Sequence, residues 1–279
     1  MTAGGGRRGF VPRDAREVKE RKHIREARDR FLEGIGVPES KPFSADAFQL
    51  EAIASLAAGN DTLVIAPTGA GKTFIAVEAI RRTVEEGKRA IYTAPLKALS
   101  NAKYAELKKR FEPGHTVGLL TGDRKIETDA NIVVATTEIY RNDLYGYSES
   151  YGLVVLDEFH YLADPQRGAV WEESIILSPR SSTLLMLSAS ISNPHEIAQW
   201  INEVRRKEVQ IVSLKERPVE LRLGFLHTDL GVIPLHDDKG EVLPEISHFY
   251  SQADYSRGNF RGRRRERDGG GDRQPRRRK

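Results

Sequence analysis

The feature that most constrains this chain is the stretch LVIAPTGAGKTF at residues 63–74. Its first three residues form an apolar run typical of a buried strand, and an amphipathic pattern predicts a helix over residues 74–86. The loop between them is rich in small, turn-prone residues and leads into Lys72 and Thr73. A strand, a loop of this kind and a helix, in that order, are the context that a phosphate-binding P-loop requires. The stretch therefore predicts an α/β fold.

The chemistry of such a loop assigns a task to each residue type. Glycines let backbone N–H groups close around phosphate oxygens, and the helix amino terminus adds a favourable dipole. Lys72 would reach the β- and γ-phosphates, and Thr73 would hold Mg²⁺. The loop residues predicted to bind nucleotide are Pro67, Thr68, Gly69, Ala70, Gly71, Lys72 and Thr73. Ala66 stands where the general pattern has its first glycine, which leaves the residues nearest the phosphates intact.

Apolar segments alternate with helical ones beyond this loop. The predicted strands are residues 89–94, 116–120, 132–135, 153–156, 183–187 and 209–212. The predicted helices are residues 97–110, 137–145, 171–177 and 194–201. This alternation indicates a parallel sheet flanked by helices on both faces. Ligands of such a sheet bind beyond the carboxyl ends of its strands.

Composition divides the chain into four regions. Residues 1–40 combine a Gly/Arg-rich disordered segment with a charged helix over residues 13–32, and residues 41–215 form the α/β domain. Residues 216–250 are expected to be a linker, in which residues 227–250 could form a short hairpin, and residues 251–279 a disordered Arg/Gly-rich tail. The tail holds 11 of the 44 Lys and Arg residues but 4 of the 40 acidic ones, so the basic character belongs to it.

Composition also excludes several classes of protein. The chain has no cysteine, which excludes disulfides and thiolate metal sites. No apolar run approaches the length of a membrane span. The amino-terminal sequence MTAGGGRRGF lacks the apolar core of a signal peptide. These features predict a cytoplasmic protein without a membrane partner.

A pair of acidic residues marks a second motif. The apolar run at residues 153–156 ends in Asp157 and Glu158. Downstream of a P-loop, this arrangement is typical of a Walker B strand. Asp157 would hold Mg²⁺ through its water shell, and Glu158 would orient or deprotonate the water that attacks the γ-phosphate. Lys72, Asp157 and Glu158 are therefore the predicted catalytic residues, with Thr73 and Asp157 as the predicted metal ligands.

The motifs taken together resemble the superkiller-like, exosome-associated DExH-box RNA helicases of superfamily 2. In chain order they are FSADAFQLEAI, APTGAGKT, TAPLKALSNAKY, TGD, ATTEIYRNDLY, DEFHYLADPQRGAVWEE, SAS and RPVEL. The resemblance covers about residues 41–222. It implies a RecA-like P-loop NTPase domain that hydrolyses ATP and binds single-stranded RNA across the tips of its strands.

The same resemblance implies roles for individual residues. Phe43 would stack on adenine, and Gln49 would hydrogen-bond its edge. The residues that would line the RNA backbone are Pro95, Lys97, Gly122, Thr136, Thr137 and Glu138. Those that would couple the nucleotide site to the RNA path are His160, Ser188, Ala189 and Ser190. The family usually has Thr where Ser190 stands, and the hydroxyl is kept.

Helicases of this family have two RecA-like domains, and no second set of strand–helix repeats follows residue 212. From the sequence we expect half a motor, which binds ATP–Mg²⁺ and hydrolyses it poorly alone. A second RecA-like domain from another chain or a ribonuclease complex would be its partner. Two alternatives stay open. One is an RNA-binding or annealing module that acts through the basic tail, with a vestigial or regulatory ATP site. The other is a DNA helicase of the same branch.

Deleting residues 251–279 discriminates between the folded domain and the tail. We expect ATP-dependent affinity for single-stranded RNA to survive the deletion, because the folded domain would carry it. Anisotropy of a labelled RNA, with and without ATP, measures this affinity. If the tail contacts RNA, its deletion should lower the magnitude of the log–log salt slope by about 0.7 for each phosphate that is no longer neutralised. Equal collapse of affinity with and without ATP would assign RNA binding to the tail.

Overall fold

The computed structural model describes residues 13–35, 44–146, 151–217, 220–228 and 230–247. Phe43, which is predicted to stack on adenine, lies outside these residues, as does the basic tail over residues 251–279. The chain divides into two units. The larger unit is Lys41–Glu220, and the smaller one combines Met1–Ser40 with Leu221–Lys279.

The larger unit is built on a sheet that has eight strands within the described residues. In chain order they are β1 (Asp61–Ile65), β2 (Ala90–Ala94), β3 (Val117–Leu120), β4 (Lys125–Ile126), β5 (Ile132–Thr136), β6 (Leu153–Leu156), β7 (Thr183–Ser188) and β8 (Val209–Ser213). Their order in space is β4-β3-β5-β2-β6-β7-β1-β8. The neighbouring strands run parallel, apart from the antiparallel pair β3–β4. The predicted parallel sheet is confirmed, with one edge strand added.

Strand β4 was not predicted, because two residues carry no readable apolar period. Its chain reverses from β3 through a tight turn, in which Thr121 N donates to Arg124 O at 2.9 Å. Gly118 allows this close return. A Cβ atom at Gly118 would lie 2.1 Å from the carbonyl oxygen of Glu127. The antiparallel edge therefore depends on backbone approach rather than on side-chain pattern.

Helices cover both faces of the sheet, as predicted. The helices are α1 (Arg13–Leu32) in the smaller unit, then α2 (Ala47–Ala57), α3 (Lys72–Glu85), α4 (Lys97–Phe111), α5 (Thr137–Leu144), a 3₁₀-helix (Phe159–Ala163), α6 (Gly168–Leu177) and α7 (Pro194–Arg205). Helices α2, α3 and α4 pack on one face, and α5, the 3₁₀-helix, α6 and α7 on the other. Among the described residues, no helix has the length and apolar character to cross a membrane. The cytoplasmic location stays a prediction.

Alternation along the central strands explains why they read as continuous apolar runs. On β2 and β6, Tyr92 and Val155 belong to the core on the α3 side, whereas Ile91 and Val154 belong to the core on the α6 side. Successive side chains of a strand point to opposite faces. Because helices cover both faces, every position of these strands is buried and selects an apolar or fully bonded residue.

A buried charge cluster joins the amino-terminal ends of the strands. Asp61 is 0% exposed and Arg205 is 1% exposed. Arg205 Nε donates to Asp61 Oδ2 at 2.5 Å, Leu184 N donates to Asp61 Oδ1 at 2.8 Å, and Lys207 Nζ lies 3.3 Å from the same Oδ1. Other guanidinium N–H groups donate to the carbonyl oxygens of Ile175, Ser178, Pro179 and Ser182. Burial lowers the pKa of Lys207, and Asp61 opposes that shift.

The smaller unit contains α1 and an antiparallel hairpin, β9 (Gly224–His227) and β10 (Gly231–Pro234). Its buried apolar residues are Ile24, Ile233, Leu243 and Ile246. Arg222 Nη1 donates to the carbonyl oxygens of Phe31 at 2.8 Å and Glu33 at 2.7 Å. Helix α1 is confirmed over its predicted range. The hairpin begins at Gly224, three residues before the segment 227–250 that the sequence predicts as a linker or short hairpin, and it shares a small core with α1.

Replacement of Asp61 by alanine should destabilise the larger unit by about 3–5 kcal/mol, since the buried Arg205 and the half-buried Lys207 lose their carboxylate. Urea denaturation followed by circular dichroism measures the change. Glu86→Gln is the control, because Glu86 pairs with Lys88 at the surface at 2.8 Å, and its denaturation midpoint should match the parent. Equal midpoints for Asp61→Ala and Glu86→Gln would contradict this account of the cluster.

Candidate functional site

The parallel register brings the predicted site residues to one edge of the sheet, in two groups. One group follows β6, β7 and β1, and comprises residues 157–160, 188–190 and 66–73. The other group follows β3, β5 and β2, and comprises Gly122, residues 136–138, Pro95 and Lys97. Each group occupies three consecutive strands. The sheet therefore separates the predicted nucleotide residues from the predicted RNA residues.

The P-loop depends on two glycines with left-handed backbone. Gly69 has φ 89° and Gly71 has φ 81°, a region that glycine adopts without steric cost. A Cβ atom at Gly71 would lie 2.5 Å from Nε2 of Gln49. Lys72 opens α3, and its Nζ donates to the carbonyl oxygens of Ala66 at 2.6 Å and Pro67 at 3.2 Å. Burial lowers the pKa of Lys72, and the carboxylates of Glu158 and Asp157 oppose that shift.

Gln49 of α2 fixes the P-loop by hydrogen bonds to its backbone. Its Oε1 accepts a hydrogen bond from Asp46 N at 2.9 Å, and its Nε2 donates to Ala70 O at 3.1 Å and Gly71 O at 3.4 Å. Both ends of the amide are thus engaged, and the side chain is 3% exposed. The structure gives Gln49 a loop-fixing contact that the sequence did not show. Its contact with an adenine edge stays a prediction.

The acidic pair lies where β6 ends. Asp157 N donates to Thr93 O at 3.0 Å, Glu158 N donates to Asp157 Oδ1 at 3.0 Å, and the hydroxyl of Tyr92 donates to Asp157 Oδ2. Burial, together with the charge of Asp157, raises the pKa of Tyr92 well above its ordinary value. Glu158 has φ 56°, and its Oε2 lies 3.4 Å from His160 Nδ1. A non-glycine residue with left-handed backbone is strained, and such residues cluster at functional sites.

Sequence reasoning missed Tyr92, although a signal was available. The run AIYTA of β2 is buried along its whole length. A phenol in such a strand needs a hydrogen-bond partner when it is buried. The sequence could have predicted a polar contact, but it could not have identified Asp157 as the acceptor.

The donor chemistry at this edge fits a magnesium-bound nucleotide. The hydroxyl of Thr73 and the carboxylate of Asp157 could bind the metal. The ammonium of Lys72 and the glycine-rich loop could bind the phosphates. Magnesium is usually held by one or two carboxylates together with substrate phosphates, rather than by an all-protein cage. The described part of the chain contains no group of three or more His, Cys, Asp or Glu residues that could hold a metal.

The second group combines one exposed cation with two helix amino termini. Lys97 opens α4, and its Nζ lies 3.1 Å from Asp123 Oδ1. Hydrogen bonds from Lys97 and from Thr121 lower the pKa of Asp123. Thr137 opens α5 at the same edge. Helix amino termini attract anions through their free N–H groups and dipole.

The predicted RNA residues differ in burial. Lys97 and Gly122 are exposed, Glu138 is partly exposed, and Pro95, Thr136 and Thr137 are buried. The buried hydroxyl of Thr137 has no hydrogen-bond partner among the described residues. The exposed members would therefore meet a ligand directly, and the buried ones would act through their backbone or by shaping the surface.

The residues predicted to couple the two groups lie at the ends of β6 and β7. Ala66 N donates to Ser188 O at 3.1 Å, and Ser188 Oγ donates to Ser190 O at 3.0 Å. These bonds join the P-loop to the Ser188–Ala189–Ser190 run. An adjacent cavity of about 510 Å³ is lined by Phe159, His160, Ser190, Ile191, Asn193 and Ile197.

Arg167 crosses between the two groups and was not among the predicted site residues. Its Nη1 donates to Pro95 O at 3.1 Å, and its backbone N donates to Asp164 Oδ1 at 2.9 Å. Gly168 packs closely behind it, since a Cβ atom there would lie 2.4 Å from the carbonyl oxygen of Leu162. Arg167 is thus fixed to the segment after the 3₁₀-helix and bound to the end of β2.

Comparison with known proteins points to one family. Residues 46–197 match the family model described as DEAD/DEAH box helicase. The chloroplastic DExH-box ATP-dependent RNA helicase DExH15 of Arabidopsis thaliana is 44% identical over 246 residues, which cover 82% of this chain and 21% of the relative. The antiviral helicase SKI2 of Saccharomyces cerevisiae is 39% identical over 207 residues, which cover 73% of this chain and 16% of the relative. The chain therefore spans about a fifth of the length of these curated relatives.

A solved structure is similar in fold to part of this chain. The Mycobacterium smegmatis helicase Lhr, bound to ssDNA and AMP-PNP, superposes with a TM-score of 0.51 at 28% sequence identity. The match covers 61% of this chain and 26% of that protein. It supports a RecA-like helicase fold for the larger unit.

Gly71→Ala should destabilise the chain more than Gly59→Ala. Both positions have positive φ, so an alanine at either one costs about 1–2 kcal/mol. No atom lies within 4 Å of a Cβ at Gly59, whereas a Cβ at Gly71 displaces Gln49 from the loop. Losing those buried hydrogen bonds adds about 1 kcal/mol. Urea denaturation of the two variants measures the difference, and equal losses would refute a steric role for Gly71.

Proposed function

The chain belongs to the DEAD/DEAH box helicase family, and on that premise we propose that it is the ATP-binding domain of a superkiller-like DExH RNA helicase. Its proposed activity is to bind ATP with Mg²⁺ and single-stranded RNA at one sheet edge, and to couple ATP hydrolysis to RNA binding. The observation that carries the proposal is the strand order. The acidic pair follows β6, which pairs with β2 of the second group, and the P-loop follows β1, two strands further along the sheet.

The chain's own groups divide the work on the nucleotide. Lys72 provides a positive charge for the terminal phosphates, while P-loop N–H groups surround the phosphate oxygens. Thr73 and Asp157 supply hard oxygen donors for the metal. Bound Mg²⁺ would neutralise charge that develops on the phosphates. Burial lowers the pKa of Lys72, while the carboxylates of Glu158 and Asp157 favour its charged form.

Glu158 is the group proposed to orient or deprotonate the attacking water. Its left-handed backbone at φ 56° turns the chain sharply where β6 ends, next to Asp157. His160 lies beside the Glu158 carboxylate and borders the cavity next to Ser190. This arrangement supports the proposed coupling role of His160 and the Ser188–Ala189–Ser190 run.

The second group supports backbone recognition of a single strand. Lys97 offers a charge, and the amino termini of α4 and α5 offer N–H groups to phosphates, which positions a strand without reading its bases. A phosphate would compete with Asp123 for the Lys97 ammonium. The Arabidopsis relative is named an RNA helicase, which favours RNA. The ssDNA in the Lhr structure keeps DNA as the second candidate.

Lys72→Ala should abolish ATP binding, and with it any ATP-dependent gain in RNA affinity. The physical reason is the loss of the cation that faces the terminal phosphates. Titration with a fluorescent ATP analogue measures the first effect, and anisotropy of labelled single-stranded RNA measures the second. Binding linkage is reciprocal, so RNA should tighten ATP binding in the parent by the same factor.

Lys88→Ala serves as the control for loss of a lysine, because Lys88 pairs with Glu86 away from the P-loop. It should bind both ligands as the parent does. A single-stranded DNA of the same sequence, tested in parallel, separates the RNA and DNA candidates. If Lys72→Ala binds ATP as tightly as the parent, the proposed nucleotide site is wrong. If ATP leaves the RNA affinity of the parent unchanged, the proposed coupling is wrong.

A further inference from the structure

A buried hydroxyl faces the aspartate at the end of β6. Tyr92 is the middle residue of β2, stands in register with Val155 of β6 and is 1% exposed. The bond from Asp157 N to Thr93 O continues the β2–β6 pairing by one residue. Asp157 therefore projects to the same face as Val155 and Tyr92. On that face the hydroxyl of Tyr92 donates to Asp157 Oδ2.

The second carboxylate oxygen is also held by the protein. Oδ1 of Asp157 accepts from Glu158 N at 3.0 Å. A carboxylate oxygen has two lone pairs, so each oxygen keeps one for a further partner. Two donors from different directions fix the plane of the carboxylate, while its capacity to accept water or metal is retained.

The ring that carries the hydroxyl is itself fixed. It belongs to the core between the sheet and helices α3 and α4. Lys103 of α4 places its Nζ 5.4 Å from the ring centroid, and a 2.8 Å ion pair with Glu106 holds that ammonium. A phenylalanine would fill the same space. Packing alone therefore explains the ring of Tyr92 but not its hydroxyl group, which donates a hydrogen bond to Asp157.

We propose that Tyr92 is a positioning residue for the magnesium–nucleotide complex and acts through Asp157. The proposal rests on the proposed function, because it needs Asp157 to serve the metal. The hydroxyl holds the carboxylate in one orientation before the ligand arrives. Hydrogen bonds to metal-binding carboxylates are a general means of raising metal affinity, and their loss typically costs 10–100-fold.

Two matched variants of the full chain, Tyr92→Phe and Tyr140→Phe, test this role. Tyr140 is also 1% exposed, and its hydroxyl lies 2.7 Å from Ser178 Oγ in the core on the other face. Each variant loses one oxygen and one hydrogen bond, which is partly buried for Tyr92 and buried for Tyr140, while the ring keeps its packing. Thermal unfolding should therefore report similar losses of stability for the two.

The readout is the binding of a fluorescent ATP analogue across a range of Mg²⁺ concentrations and in EDTA. Tyr92→Phe should raise the Mg²⁺ concentration for half-maximal binding about 10-fold and leave the affinity in EDTA unchanged. Tyr140→Phe should match the parent in both. Direct Mn²⁺ binding, followed by electron paramagnetic resonance in the presence of nucleotide, should weaken by the same factor in Tyr92→Phe.

The outcomes separate this proposal from the one on which it rests. If the parent responds to Mg²⁺ and Tyr92→Phe shows the same half-saturating concentration, the positioning role is wrong and the proposed function stands. If both variants shift equally, the effect is one of stability and the role is again wrong. If the parent binds the nucleotide equally tightly with and without Mg²⁺, both the proposed function and this inference are wrong.

Discussion

The parallel pairing of β3, β5, β2, β6, β7, β1 and β8 is the constraint on which the site depends. Each strand of such a sheet must be followed by a crossover, so helices cover both faces and all the carboxyl ends meet at one edge. Residues distant in the chain thereby become neighbours without long loops. The P-loop, the acidic pair and Lys97 share one edge for this reason.

The two ends of the parallel strands differ: a buried ion pair lies at the amino-terminal end, and residues with left-handed backbone lie at the carboxyl-terminal end. At the amino-terminal edge, Asp61 and Arg205 form a fully bonded buried pair that ties β1 to α7 and to the start of β7. At the carboxyl edge, Gly71 and Glu158 adopt left-handed backbone. Glycine adopts this conformation without steric cost, whereas Glu158 is strained, and strained residues persist where the surrounding structure over-determines them. The charge cluster and the two cores supply that rigidity, so the site is built on fixed strands.

The boundary between β2 and β6 is the physical junction of the two groups of site residues. Tyr92 of β2 binds Asp157, and Arg167 binds Pro95 at the end of β2. Both contacts join the segment that contains the acidic pair to the strand that leads into Lys97. Two separate hydrogen bonds therefore tie the segment after β6 to the strand that precedes the second group.

The sequence by itself determined the elements and the local motifs, because their signals lie within a few residues. Apolar periodicity located the α-helices and nearly all the strands, and motif spacing predicted Lys72 and Asp157 as site residues. An apolar run shows that a segment is buried, but not which segment lies beside it. Tertiary structure alone therefore decided the strand order, the edge strand β4, the pairing of Asp61 with Arg205 and the bond from Tyr92 to Asp157. Each of these joins residues whose partners are chosen by packing and backbone hydrogen bonding across the fold, and no local pattern records that choice.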